Sequence, residues 1–123
     1  MSTLTVPLIP PSVNHYAKHT RQGKHYVTPE AKAFKDAVAI FNRGNFTQGK
    51  TFYVTIAVIL GAGDSGDVDN FPKLVLDGLK DCGAFRDKKG KLLSDGQVRK
   101  LTVIVDPDER PEQGRTEIEY GTL

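Results

Sequence analysis

The sequence has one cysteine, no tryptophan and no long hydrophobic run. With Cys82 alone, no disulfide can form within the chain, which excludes the small secreted domains that disulfides hold together. The most hydrophobic stretch, residues 52–60, is far shorter than the roughly 20 residues that a helix needs to cross a bilayer. No internal repeat is present, which excludes a solenoid. The N-terminus has no basic, hydrophobic leader, so we expect a cytoplasmic protein without a membrane anchor.

The length and the distribution of charge are more informative. The chain has 123 residues, of which 38% are hydrophobic, and this is enough for one domain with one core over residues 1–123. The formal charge is only +2. However, residues 1–50 have seven basic and two acidic groups, whereas residues 51–123 have ten basic and thirteen acidic groups. A basic half joined to an acidic half is a weak indication of contact with nucleic acid.

Two segments have the pattern of amphipathic helices. The first begins with Thr28 as N-cap, followed by a proline in the first turn, and Gly44 is a typical stop. The second is predicted over residues 71–81, with Asp69 or Asn70 as its cap. The apolar stripe predicted for the first helix consists of Ala33, Phe34, Ala37, Val38 and Phe41.

Other segments alternate between apolar and polar residues as β-strands do. Residues 52–60 are predicted to form a central strand, and residues 98–105 another strand. Shorter strands are predicted at residues 3–9, 26–27 and 115–120, the last at a sheet edge. Loops are predicted at residues 12–24, 86–94 and 106–114, the last as a hairpin connection. This order predicts an α+β single domain, with two main helices packed on one face of a mixed β-sheet.

A glycine- and aspartate-rich segment follows the central strand, and it contains Asp67 and Asp69. Two neighbouring carboxylates repel each other, which costs free energy unless a cation lies between them. Oxygen ligands without imidazole or thiolate favour Mg²⁺ or Mn²⁺ over zinc. Aspartate is also a common turn and cap residue, so a purely structural role for Asp69 is the alternative. Asp64, isolated among glycine and serine, fits such a structural role better.

Lys73 and Asp77 follow Asp69 at intervals of four residues, which places all three on one face of the second helix. A cation at this place could stabilise negative charge that develops on a phosphate. The alternative is an ordinary exposed ion pair between Lys73 and Asp77, which contributes about 0.3–0.5 kcal/mol. Asp95 precedes the next strand. If that strand pairs near the central one, Asp95 lies at the same rim as Asp67 and Asp69.

Three blocks of sequence resemble the RusA family of Holliday-junction resolvases. They are PPSVN at residues 10–14, GDVDN-x-x-K-x-x-x-DGL at residues 66–79 and DGQV at residues 95–98. The blocks follow the order of the family and cover most of the chain, and the middle block is fairly specific. Two features depart from the family pattern. Ser94 stands where an acidic residue is usual, and residues 87–93 resemble an insertion.

The resemblance implies a RusA-like fold and an activity. The activity would be that of a homodimeric crossover junction endodeoxyribonuclease, which uses Mg²⁺ or Mn²⁺ to resolve four-way DNA junctions by paired symmetric nicks in recombination and repair. Carried over position by position, the metal ligands are Asp67, Asp69 and Asp95, the catalytic residues are these three and Lys73, and Asp77 is a supporting residue. Asp87, in the insertion, is a second candidate for the third carboxylate.

DNA must be held by groups outside the acidic site, because carboxylates repel phosphates. The residues expected to contact DNA are Asn14, Lys18, Arg21, Lys24, Lys88, Lys89 and Lys91. Cutting two strands at matched positions requires two sites related by a two-fold axis, and therefore a homodimer. The main alternative is a non-catalytic nucleic-acid-binding module in which the aspartates form a structural turn. A metal–nucleotide site built on D-x-D is a further, weaker alternative.

Overall fold

The computed structural model describes residues 1–11, 17–19 and 25–123, with residues 17–19 and 25–27 described by their backbone only. The described residues form strands, two α-helices and two short 3₁₀ turns. The strands are β1 (Ser2–Val6), β2 (Ala17–His19), β3 (His25–Val27), β4 (Thr47–Gln48), β5 (Phe52–Ile59), β6 (Phe85–Arg86), β7 (Val98–Val105) and β8 (Arg115–Thr122). The helices are α1 (Pro29–Asn42) and α2 (Pro72–Asp81), and the 3₁₀ turns are Val68–Asn70 and Asp95–Gln97.

The main sheet has the strand order β1-β8-β5-β7. Strand β5 pairs in parallel with β7 and antiparallel with β8, and β8 pairs antiparallel with β1. The sheet is therefore mixed and β5 lies inside it, which confirms both predictions. Two smaller ladders complete the structure: β2 pairs antiparallel with β3, and β4 pairs in parallel with β6.

Two predictions about the C-terminal strands are wrong. Residues 106–114 do not form a hairpin connection, because β7 and β8 lie on opposite sides of β5. For the same reason β8 is an inner strand, and the edge strands of the main sheet are β1 and β7. The connection folds around Asp106, whose carboxylate accepts hydrogen bonds from the backbone amides of Asp108 and Glu109. These two donors lower the pKa of the Asp106 carboxyl.

The core lies on the face of the sheet that the two helices cover. Along β5 the predicted alternation is confirmed, since Phe52, Val54, Ile56 and Val58 are all buried. Helices α1 and α2 pack against each other and complete the core with Phe34, Val38, Leu74, Val75 and Leu79. The two-helix, one-sheet architecture predicted from the sequence is thus confirmed as a small α+β domain.

Helix α1 begins as predicted, but its apolar stripe is shifted. The Thr28 hydroxyl accepts a hydrogen bond from the Ala31 amide at 3.3 Å, as an N-cap does. The buried positions start at Ala31, whereas Ala33 is exposed and Phe41 is 37% exposed. The predicted Phe34, Ala37 and Val38 are buried, and the stripe is completed by Ala31 and by Asn42, a polar residue that hydrophobicity cannot identify. The helix ends at Asn42, two residues before the predicted stop.

The polar segment at residues 12–24 is not a uniform loop, because β2 lies within it and pairs with β3. The short strand predicted at residues 26–27 is confirmed as β3. The first strand is confirmed at β1, although it ends at Val6 rather than at residue 9.

A buried hydrogen bond joins the C-terminus of α1 to the sheet. The Tyr120 hydroxyl donates to Asn42 Oδ1 at 2.6 Å, and Asn42 Nδ2 donates to the Asn45 carbonyl oxygen at 2.7 Å. Both side chains are nearly inaccessible to solvent. Burial raises the pKa of the Tyr120 phenol, so the hydroxyl keeps its proton and acts as the donor.

We predict that Tyr120→Phe lowers the free energy of unfolding by about 1–3 kcal/mol, because the Asn42 oxygen is left buried without its donor. Denaturant titration followed by circular dichroism measures this change. Tyr53→Phe is the matched control. It removes a hydroxyl that donates to the partly exposed Glu119 carboxylate at 3.0 Å, and water can replace that bond. Equal losses for the two variants would contradict the role given to the Asn42–Tyr120 bond.

Candidate metal and phosphate site

The segment between β5 and α2 is fixed at its start by Asp64. The Asp64 carboxylate accepts a hydrogen bond from the Gly61 amide at 2.8 Å. Arg110 donates to the Asp64 carbonyl oxygen at 3.1 Å, and the Ala62 amide donates to the Pro111 carbonyl oxygen at 2.8 Å. Asp64 therefore organises a turn and ties it to the 106–114 connection, in agreement with the structural role that its sequence context favours.

Gly66 sets the course of the chain just before the two candidate metal ligands. Its φ of +152° lies in a region that side chains disfavour. A Cβ atom at this position would lie 2.4 Å from Cζ of Phe71. Phe71 is itself buried in the core. The backbone therefore passes directly over a fixed aromatic ring, and this contact positions the 3₁₀ turn that follows.

Asp69 does not cap α2. The N-cap of α2 is Phe71, and within the described chain no side chain makes a capping hydrogen bond there. Asp69 and Asn70 belong instead to the preceding 3₁₀ turn, which the Asn70 amide closes by donating to the Asp67 carbonyl oxygen at 2.9 Å. The prediction of Asp69 or Asn70 as the cap is wrong. Helix capping therefore does not explain the aspartate at position 69.

Lys73 and Asp77 form an ion pair on the surface of α2. Lys73 Nζ lies 3.7 Å from the Asp77 carboxylate. The two side chains differ sharply in exposure, at 61% for Lys73 and 9% for Asp77. The buried Asp77 carboxylate thus attracts an exposed lysine in the first turn of the helix, three positions after the turn that contains Asp69. Asp77 is therefore placed to orient the ammonium group of Lys73.

Asp95 lies in the second 3₁₀ turn, immediately before β7. The turn is capped by its neighbour, because the Ser94 hydroxyl accepts a hydrogen bond from the Gly96 amide at 3.3 Å. Ser94 thus makes the turn-capping hydrogen bond that the Asp-Gly pair suggests for Asp95. Asp95 is half-buried.

Asp87, the second candidate for the third carboxylate, organises the basic linker. Its carboxylate accepts hydrogen bonds from the backbone amides of Lys89 at 2.8 Å and Lys91 at 2.9 Å. The Gly90 amide also donates to its carbonyl oxygen at 3.0 Å. This is the structure of a tight turn. A turn role accounts for Asp87, and Asp95 has no equivalent explanation.

The parallel pairing of β5 and β7 changes how the carboxylates relate to the sheet. Phe52 is paired with Val98, so Asp95 lies beside the start of β5, whereas Asp67 and Asp69 follow its end. The expectation that Asp95 lies at the same end of the strands as Asp67 and Asp69 is therefore wrong. The segment after β5 turns back instead. Cα atoms of the turn Val68–Asn70 come within 8 Å of both β7 and α2, and Cα atoms of the turn Asp95–Gln97 come within 8 Å of α2.

The two turns thus border the same helix. Within residues 1–11 and 28–123, whose side chains are described, no three acidic, histidine or cysteine side chains are arranged to hold a metal ion. The same residues include seven aspartates in loops or turns, and these divide into two groups. Asp64, Asp87 and Asp106 accept backbone hydrogen bonds. The carboxylates of Asp67, Asp69, Asp95 and Asp108 accept none from the described residues.

The predicted DNA-contacting residues are described only in part. Asn14, Arg21 and Lys24 lie outside the described residues, as does the side chain of Lys18 in β2. The side chains of Lys88, Lys89 and Lys91 are exposed on the Asp87 turn. Sequence analysis missed the roles of Ser94, Phe71 and Gly66. The glycine directly before D-x-D and the aromatic residue two positions after it were the signals that could have indicated a chain reversal packed on a ring.

In comparisons with known proteins, no protein-family model matches the chain, and no curated protein is significantly similar to it. Neither helix among the described residues is long and apolar enough to span a bilayer.

We predict that Gly66→Ala lowers the free energy of unfolding by about 1–3 kcal/mol, because the new methyl group overlaps the Phe71 ring. Gly63→Ala is the matched control: Gly63 also has a positive φ, of +84°, but a Cβ there has no neighbour within 4 Å. Urea titration of the two variants separates the steric contribution from backbone strain. A loss at Gly66 no larger than that at Gly63 would contradict the positioning role of Phe71.

Proposed function

We propose that the protein is a cytoplasmic, Mg²⁺-dependent, structure-specific endodeoxyribonuclease that resolves four-way DNA junctions by paired symmetric nicks, in recombination and repair. The observation that supports this proposal is the division among the aspartates. Turn geometry accounts for Asp64, Asp87 and Asp106. It does not account for the carboxylates of Asp67, Asp69, Asp95 and Asp108, and the resemblance to RusA resolvases selects the first three of these as metal ligands.

The chemistry of these side chains fits a hard divalent cation. Asp67 and Asp69 are exposed, Asp95 is half-buried, and each offers only carboxylate oxygens, which suit Mg²⁺ or Mn²⁺. These three residues would hold the ion. When bound, Mg²⁺ polarises a phosphodiester and lowers the pKa of a water that can attack it. Without a cation the three carboxylates would only add repulsion between like charges.

Lys73 would act on the phosphate rather than on the metal. It is the second residue of α2, three positions after the 3₁₀ turn that contains Asp69, and the buried Asp77 carboxylate would orient it. An ammonium group held in this way can neutralise the negative charge that builds up on the phosphate or on its leaving oxygen. Asp77 would be a positioning residue, because it acts through Lys73.

Two nicks at matched positions in opposed strands require two active sites with two-fold symmetry. One chain of this size offers one group of candidate ligands, so the proposed activity includes a homodimer.

We predict that Asp69→Asn abolishes Mg²⁺-dependent nicking of a synthetic four-way junction and leaves junction binding unchanged or tighter, because it removes a ligand charge but no turn contact. Gel analysis of a labelled junction, with linear duplex of the same sequence as reference substrate, measures nicking. Fluorescence anisotropy in EDTA measures binding. Asp108→Asn, the same chemical change at an exposed aspartate of the 106–114 connection, should leave both readouts unchanged.

Nicking by the Asp69→Asn variant at the wild-type rate would refute the assignment of the site. Wild-type protein that binds the junction but cuts neither substrate in Mg²⁺ or Mn²⁺ would identify the alternative, a non-catalytic nucleic-acid-binding module.

We predict that light scattering at micromolar concentration gives twice the 13.5 kDa mass of the chain. Dimers mixed from wild-type and Asp69→Asn subunits should nick one strand of a junction without resolving it, since each subunit cuts one strand. Resolution by such mixed dimers, or a monomer in solution, would contradict the paired-nick mechanism.

A further inference from the structure

The short parallel ladder of β4 and β6 brings together two distant segments of the chain. Thr47 is paired with Phe85 and Gln48 with Arg86. The Gly49 amide donates to the Arg86 carbonyl oxygen at 2.9 Å, and the Gln48 side chain donates to the Asp87 carbonyl oxygen at 3.4 Å. Because the strands run in the same direction, the residues that follow them continue side by side.

This arrangement concentrates positive charge at one place. Lys50 lies two residues beyond Gln48, and Lys88 lies two residues beyond Arg86. The Asp87 turn then presents Lys89 and Lys91. The region thus has five cations and one carboxylate: Lys50, Arg86, Lys88, Lys89 and Lys91 against Asp87. A surface of this composition attracts a polyanion, and its attraction depends on salt concentration.

An aromatic ring lies beside these cations. The guanidinium carbon of Arg86 lies 4.2 Å from the ring centroid of Phe46, a cation–π contact. Arg86 is held in this position because its Nε donates to the Gly83 carbonyl oxygen at 3.1 Å. Even with Arg86 stacked on it, Phe46 is 43% exposed. Part of the ring is therefore open to a second flat partner.

We propose that this surface, formed by Phe46, Arg86, Lys50 and the lysines of the Asp87 turn and called here the stacking platform, binds an unpaired nucleobase of DNA together with its flanking phosphates. A partly exposed ring stacks on any nucleobase, and neighbouring cations follow the backbone. An acidic peptide would use the cations but would not require the ring. The choice of DNA rests on the proposed function, and the platform deepens it by giving the enzyme a contact to bases that are unstacked at a branch point.

The test measures binding in EDTA, where no cleavage occurs, to three labelled DNAs: a single strand, a four-way junction and a linear duplex. Phe46→Leu keeps an apolar side chain but removes the ring. We expect it to weaken binding to the single strand by about 5- to 150-fold, the range for loss of one base–aromatic stack, to weaken binding to the junction, and to leave the duplex unchanged. Phe46→Trp should restore the affinity, because it restores an aromatic face.

Phe41→Leu is the matched control, because Phe41 is similarly exposed, at 37%, but belongs to α1 and not to β4, β6 or the Asp87 turn. The pair Lys88→Gln and Lys89→Gln supplies a second readout. It should weaken binding to all three DNAs alike and reduce the slope of log affinity against log salt for the duplex by about 0.9 per lysine.

The platform is refuted if Phe46→Leu binds the single strand as tightly as the Phe41→Leu control, or if it loses affinity equally for all three DNAs. Neither result bears on metal-dependent nicking. Conversely, ring-dependent binding by a protein that never cuts would support the platform and refute the proposed nuclease activity.

Discussion

Parallel pairing of β7 with β5 is the constraint on which the rest of the structure depends. Adjacent parallel strands cannot be joined by a tight hairpin, so the chain between them must cross over, usually through a helix. That crossover, residues 60–97, contains α2, both 3₁₀ turns and the Asp87 turn. This one connection therefore contains all of the candidate metal ligands, the proposed lysine and most of the stacking platform. It packs against a sheet whose strands β5 and β7 each have eight residues.

The same crossover explains how acidic and basic groups coexist in a short segment. The Asp87 carboxylate accepts hydrogen bonds from two backbone amides, and the turn formed in this way holds its lysines on the surface. Asp64 and Gly66 direct the chain across Phe71 before the first candidate ligand. The acidic turns lie against α2, whereas the basic turn follows β6. The net charge of the whole chain, +2, hides this separation.

Local patterns predicted the elements well, and long-range placement less well. The alternation of residues 52–60 and 98–105 identified β5 and β7, because apolar side chains at a two-residue period fit a half-buried strand. The same alternation could not tell that β8 lies inside the sheet, since position in a sheet depends on pairing partners far along the chain. Asp69 and Asn70 were predicted as alternative helix caps, but α2 begins at Pro72 with Phe71 at its N-cap; the close packing of Phe71 on Gly66 is not visible in residue propensities.

The stacking platform was beyond prediction for a related reason. Phe46 and Arg86 are forty residues apart, and only a two-residue parallel ladder joins them. Such a short ladder contributes little stability by itself. It also leaves the Phe46 ring partly exposed to water, although burial of that ring would stabilise the fold. In the proposed function, the carboxylates of Asp67, Asp69 and Asp95 would present the same conflict, since a bound cation would relieve the repulsion among them. Local arrangements that weaken the isolated chain are expected where a ligand completes the structure. The exposed Phe46 ring lies beside the lysines, which attract anions, and the carboxylates form a surface that repels anions. In the proposed function, the lysines would attract the phosphate backbone and the carboxylates would repel it unless a cation neutralised them.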